Sequence, residues 1–142
     1  MQLDNTLYAA SQIAHNFGAV AAVGLPLAAL RYSAAGSILR KTYQLALAAW
    51  TAQIASGVAF GLVSYFVVDE LPQISGLAFF ALCVKIACAA LSIVLIIVLL
   101  LKQRIVSDKC ALASLAGLAS VALVSAAVNV SIIGFLHSSM RL

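Results

Sequence analysis

The segment LSIVLIIVLLL, residues 91–101, is the most apolar run of the chain and decides its fold class. All of its residues except Ser92 are Leu, Ile or Val, and it completes a longer hydrophobic stretch over residues 74–101. A helix needs about 20 predominantly apolar residues to cross the hydrocarbon core of a bilayer. We therefore predict a membrane-spanning helix over residues 74–101.

The composition extends this prediction to the whole chain. Of 142 residues, 65% are hydrophobic and 8% are charged, and the mean hydropathy is +1.15. A soluble domain carries about 25% charged residues, so a soluble domain is excluded. The basic residues form no patch interleaved with aromatic residues, which argues against nucleic-acid binding. There is room for one transmembrane domain, residues 1–142, with spans over residues 7–30, 43–68, 74–101 and 111–136.

The connections between these spans are short, so consecutive helices are expected to be antiparallel neighbours. The predicted fold is therefore an all-α, up-down four-helix bundle in the lipid bilayer. The segment before the first span contains no Lys or Arg, unlike a cleavable signal peptide, and we expect the first span to be retained.

The basic residues predict the orientation of the bundle. Six of the eight lie in two short connections, and Lys and Arg in short loops mark the cytoplasmic side: Arg31, Arg40, Lys41, Lys102, Arg104 and Lys109. Both termini are then outside, and the predicted location is the bacterial inner (plasma) membrane.

Small residues indicate where the helices pack. Gly57 and Gly61 have the G-x-x-x-G spacing on the second span, and Gly117 lies in the Ala- and Ser-rich fourth span. Such residues allow close approach of membrane helices. They predict either packing within the bundle or a contact with another membrane subunit or a second copy of the chain.

The cysteines indicate no redox or metal chemistry of their own. Cys83, Cys88 and Cys110 form no C-x-x-C pair. Cys83 and Cys88 lie on different sides of a helix with 3.6 residues per turn. We expect all three to be small apolar packing residues.

Three ionisable residues within or near the spans are candidate functional residues: His15, Lys85 and His137. Ionisable residues in a membrane helix are functional candidates by default, and no Asp or Glu falls within a predicted span. Lys85 lies about 16 Å into the third span at 1.5 Å per residue. It either extends to the outer interface or faces the bundle interior, paired with helix carbonyls, a cofactor propionate or a lipid headgroup.

His15, in SQIAHNFGAV (residues 11–20), is the candidate ligand of a haem b or a copper ion. A b-type haem takes one or two axial imidazoles, so at most one bis-His haem can be built from His15 and His137. His137 is expected about 10 Å nearer the surface than His15, which opposes that pairing. The alternative for His15 is a hydrogen-bonded polar residue between helices. Polar residues near His15 on the first span could form hydrogen bonds with polar residues on the fourth. They are Ser11, Gln12 and Asn16 on the first span and Asn129 and Ser131 on the fourth.

The segments IAHNFGAVAAVGLPLAALRY and LCVKIACAALSIVLII resemble the CopD/HemJ-like superfamily of four-helix bacterial membrane proteins. The resemblance lies in a His early in the first span, a Gly nine residues later, an Arg at its inner end, and a Lys at the start of the third span. In the HemJ-type protoporphyrinogen oxidases the first-span His is associated with haem. By resemblance, His15 and Lys85 carry the site.

The sequence supports three hypotheses for function and assigns no catalytic residue, so enzyme activity stays uncertain. The first is a redox-associated, haem b-binding component of a membrane electron-transfer complex. The second is a cofactor-free structural or assembly subunit. The third is a small oligomeric transporter or channel for an anionic substrate, in which Lys85 would contact the substrate.

Overall fold

The computed structural model describes residues 2–32, 36–67, 76–101 and 107–139. The side chains of residues 2–5, 7–8, 60, 63–67, 78 and 128–139 lie outside the description. The described chain is all-helical, which confirms the predicted class. It forms four helices: α1 (Gln2–Arg31), α2 (Gly36–Val67), α3 (Leu77–Leu101) and α4 (Asp108–Ser139).

Three of these helices are long and apolar enough to cross a membrane. The qualifying stretches are Ala9–Arg31 in α1, Phe79–Leu101 in α3 and Asp108–Ala127 in α4. Within the described residues α2 is not among them. Although α2 is 32 residues long, Gln44, Gln53 and other polar residues make it less apolar than α3.

The helix bounds differ from the prediction mainly at α2. The predicted span began at residue 43, whereas α2 begins at Gly36 and includes Arg40 and Lys41 in its first turns. Gly36 has a φ of +56° and Gly76, just before α3, a φ of +59°. Residues other than glycine rarely adopt this left-handed conformation. Gly36 lets the chain turn directly into α2, so the first connection is shorter than predicted, whereas α3 begins at Leu77, later than the predicted start at residue 74.

The helices pack as a ring. Each packs against its two neighbours in the order α1–α2–α3–α4–α1, and within the described chain the backbones of the diagonal pairs do not approach each other closely. The core on the inside of the ring contains many small residues around a few large ones, such as Trp50, Ile96 and Leu115. Large apolar side chains such as Phe17 point outward, as expected of a bundle surrounded by lipid.

The cysteines and glycines that were predicted to pack between helices differ in how closely the bundle surrounds them. All three cysteines are free: Cys88 is buried in the core, while Cys83 and Cys110 are exposed. A Cβ atom added to any of the three predicted packing glycines would meet no described atom within 4 Å: Gly57, Gly61 and Gly117. These glycines therefore make no close helix contact within the described bundle, and contact with another subunit stays a prediction.

Candidate functional site

His15 and Lys85 meet inside the bundle. Lys85 Nζ lies 2.9 Å from His15 Nε2. His15 is six residues after the start of Ala9–Arg31, and Lys85 is six residues after the start of Phe79–Leu101. Because α1 and α3 run parallel in an up-down bundle, equal distances along them correspond to equal depth. Lys85 is eight residues from the start of α3, or about 12 Å, which is shallower than the 16 Å predicted.

Ser56 determines which ring nitrogen of His15 carries the proton. Its Oγ donates to the backbone carbonyl of Ala52 at 2.7 Å and lies 3.1 Å from the carbonyl of Gln53. The same Oγ is 2.8 Å from His15 Nδ1. Since the hydroxyl proton is already donated, Nδ1–H must donate to Oγ, and neutral His15 then accepts through Nε2. We therefore assign Lys85 as the donor to Nε2.

Gln53 and Gly18 fix α1 against α2 beside the imidazole. Gln53 Nε2 donates to the backbone carbonyl of His15. A Cβ on Gly18 would lie 3.1 Å from Gln53 Nε2 and 3.2 Å from the carbonyl oxygen of Ala49. Glycine at position 18 therefore leaves room for the Gln53 side chain, which is 6% exposed. We call His15, Gln53, Ser56 and Lys85 the His15 site.

A cavity of about 650 Å³ adjoins the His15 site at the centre of the ring. His15, Gln53, Lys85, Asn16 and Trp50 are among its walls, and all four helices contribute to the lining. Seven alanines also line it: Ala19, Ala22, Ala81, Ala119, Ala122, Ala126 and Ala127. Protein interiors are normally close-packed, and these small side chains account for the unfilled space. A mostly apolar cavity of this size with a few polar groups is typical of a small-molecule site.

The cavity has a positive wall. Lys85 and His15 are its only ionisable lining residues within the described chain, and none of its lining residues is Asp or Glu. A charged Lys in the interior of a membrane helix costs about 2.5–3.5 kcal/mol on insertion scales. The bond to His15 offsets part of this, and an anion or a hydrogen-bond acceptor in the cavity would offset more.

The fit of a haem iron to these residues can be judged from the hydrogen bonds. An iron–imidazole bond uses the lone pair of a ring nitrogen. Here Nδ1 is bonded to Ser56 and Nε2 to Lys85. As arranged, the residues do not present a ring nitrogen to an iron, and Lys85 would have to move away first.

The side chains of His137, Asn129 and Ser131 lie outside the described residues. Among the described residues, no three His, Cys, Asp or Glu side chains group together as metal ligands around His15 or elsewhere.

The sequence interpretation missed Gln53, Ser56, Gly18 and Trp50. Gln53 and Ser56 are three residues apart and therefore share one face of α2. That spacing of two polar residues in an apolar helix was the available signal. Nothing in the sequence showed that this face opposes His15.

Two further buried hydroxyls lie in the core. Tyr43 Oη and Ser92 Oγ have no hydrogen-bond partner among the described residues. Neither residue lines the cavity.

No protein-family model matches the chain, and searches of curated proteins and of solved structures found no similar protein.

Proposed function

We propose that this chain is an integral membrane protein that binds one apolar molecule in the central cavity and holds its anionic or hydrogen-bond-accepting group at Lys85. The observation that carries the proposal is the Lys85–His15 pair on the wall of a cavity of about 650 Å³. Polar residues are expensive in a membrane bundle unless they are satisfied or used. Gln53 and Ser56 hold His15 in place, and the alanines keep the adjoining space open.

The proposed topology has four spans, with the termini outside and the basic connections in the cytoplasm of a bacterial cell. Its support within the described chain is the basic end of the bundle. Arg31 ends α1, Arg40 and Lys41 lie in the first turns of α2, and Lys109 lies in the first turn of α4. In an up-down ring all these positions share one end, and the positive-inside rule assigns that end to the cytoplasm.

Analysis of co-purified molecules tests the proposed binding. The protein would be extracted directly into native-membrane discs, and the bound small molecules identified by mass spectrometry. We expect an apolar molecule with an anionic or acceptor group in the wild type and its loss in Lys85→Met. Lys109→Met is the matched control, because Lys109 is exposed at the basic end and should leave the bound molecule unchanged. The same molecules in equal amounts from Lys85→Met would refute the proposal.

The second candidate is the redox function, in which His15, alone or with His137, would hold one haem b in the cavity after Lys85 has moved away from Nε2. The specific observation in its favour is that His15 lines a cavity in which half of the lining residues are alanine or serine. When bound, a haem would supply one-electron chemistry. The chain's part would be to provide the imidazole and, through Lys85, a partner for a propionate.

An absorption spectrum separates this candidate from the first. If His15 binds haem, the protein produced with sufficient haem shows a Soret band that His15→Ala abolishes. Lys85→Met should keep or strengthen the band, because it releases Nε2. If the protein instead binds an apolar molecule at Lys85, Lys85→Met loses that molecule. A wild-type spectrum without a Soret band, or one unchanged in His15→Ala, would contradict haem binding.

We also propose that α2 packs against another membrane subunit or a second copy of this chain. The support is that Gly57 and Gly61 make no close contact in the described bundle, although their spacing is typical of helix–helix contacts. A cofactor-free assembly role would need this contact and not the cavity.

A further inference from the structure

A second concave surface lies against the central cavity. The α3–α4 groove has a volume of about 400 Å³ and runs between Phe80 and Val84 on α3 and Val121 and Val124 on α4. It shares two lining residues with the cavity, Ala81 and Ser125. The cavity beside Lys85 and the apolar groove on the surface of the bundle therefore lie side by side, separated by these two small residues.

The groove presents an apolar surface throughout. Among its described lining residues the polar ones are two serines, and both hydroxyls donate within α4. Ser120 Oγ donates to the carbonyl of Ala116 at 2.8 Å, and Ser125 Oγ to the carbonyl of Ala122 at 2.8 Å. With its hydroxyl protons used in this way, the groove suits a hydrocarbon chain.

Lys85 has the capacity to bind an anion without releasing His15. An ammonium group has three N–H donors, and His15 Nε2 accepts one of them. A carboxylate can accept from the others, and its single negative charge matches the single ammonium. A phosphate monoester carries about −1.5 to −2 at neutral pH and would leave charge unbalanced in the membrane.

We propose that the ligand is a single-chain acyl anion, with its carboxylate at Lys85 in the central cavity and its hydrocarbon tail in the α3–α4 groove. The tail passes between Ala81 and Ser125 into the groove, whose volume of about 400 Å³ accommodates one chain. The ligand exchanges with the bilayer sideways, between α3 and α4. This inference rests on the proposed function and specifies its ligand class and route.

Trp50 is a natural reporter of occupancy. It is the only tryptophan of the chain, it is 3% exposed, and it lines the cavity. The probe is a stearate brominated on the two carbons beside its carboxyl group, so that the bromines stay in the cavity near Trp50. It is added to the protein in lipid vesicles, and bromine quenches tryptophan fluorescence on contact. The methyl ester of the same acid removes the charge, and a dibrominated phosphatidylcholine measures contact with bulk lipid. We expect quenching by the acid at a concentration at least about tenfold below that of either control, the effect of one charge-assisted hydrogen bond.

Variants separate the head-group site from the route. Lys85→Met should raise the concentration of acid needed for quenching about tenfold or more. If the Lys85→Met variant does not fold, Lys85→Gln is used in its place. Ser125→Leu fills the junction between cavity and groove and should weaken binding of the acid similarly. Ser114→Leu is the matched control, because Ser114 is exposed on the same helix and lines neither space. It should bind like the wild type.

The outcomes distinguish this inference from the proposed function. Equal quenching by the acid and its methyl ester would overturn the proposal that the ligand is an acyl anion. Wild-type binding by Ser125→Leu would overturn the proposed route through the groove. In both cases a co-purified molecule that depends on Lys85 would still support the proposed function. If Lys85→Met retains both the wild-type quenching and the co-purified molecules, both proposals fail.

Discussion

At the scale of single residues, the described interior contains serines in two opposite situations. Ser56 donates to a helix carbonyl and accepts from His15. Ser92 is fully buried and has no partner among the described residues. A buried polar group without a partner is destabilising by about 1–3 kcal/mol, whereas a satisfied one is net stabilising. The same Ser→Ala change should therefore have opposite effects at the two positions.

We predict that Ser92→Ala leaves the free energy of unfolding unchanged or raises it by about 1 kcal/mol, because it removes an unsatisfied hydroxyl. Ser56→Ala should lower it by about 1 kcal/mol, because His15 Nδ1–H then lacks its acceptor. Reversible unfolding in mixed micelles measures both. Equal losses for the two variants would show that Ser92 has an unrecognised partner.

The residues of the site were only partly predictable. His15 and Lys85 could be identified because ionisable residues are rare inside membrane spans. Gln53 and Ser56 could not, since uncharged polar residues are common in such helices. Their role depends on the rotation of α2 about its axis, which the sequence pattern does not determine. The tautomer of His15 follows only from the hydrogen bonds of Ser56.

At the scale of the helices, the sequence predicted the number of helices and their central parts. The lower hydropathy of α2 also has a structural explanation, because Gln53 and Ser56 are buried inside the ring. The helix ends were less predictable: charged residues near Arg40 suggested a loop, but they occupy the first turns of α2. A helix continues past the hydrocarbon region wherever its backbone bonds are satisfied, and charge patterning does not report this.

The open glycines of α2 lead to a prediction about assembly. Gly57→Leu and Gly61→Leu should leave the unfolding free energy within about 0.5 kcal/mol, as expected away from packed positions, because neither glycine has a close described neighbour. Both should reduce association with a second copy or a partner subunit, measured by cross-linking in native membranes.

Gly24→Leu on α1 is the matched control, since Gly24 is equally open and lies outside the G-x-x-x-G pair. Wild-type cross-linking in all three variants would contradict the proposed contact at α2.

At the scale of the whole molecule, the charged end of the ring predicts how the bundle lies in the membrane. Cys110 is exposed in the first turn of α4, next to Lys109. With Cys83 and Cys88 replaced by alanine, a membrane-impermeant maleimide should label Cys110 in inside-out vesicles and not in intact spheroplasts.

A cysteine at the other end checks the opposite side. Thr6 is exposed near the start of α1, and Thr6→Cys in a cysteine-free chain should be labelled in spheroplasts. Labelling of Cys110 from outside would reverse the proposed orientation.

The separation of the diagonally opposite backbones in the described ring has a mechanical consequence. Four helices whose backbones pack only against their neighbours can shear from a square cross-section toward a rhombus, while all four side-by-side contacts are kept. One diagonal then lengthens as the other shortens. The Lys85–His15 bond lies along the α1–α3 diagonal and restrains it. Loss of this bond would free that diagonal to widen and draw α2 toward α4, so a change at Lys85 would be transmitted to the outer faces of the bundle as a change in its cross-section.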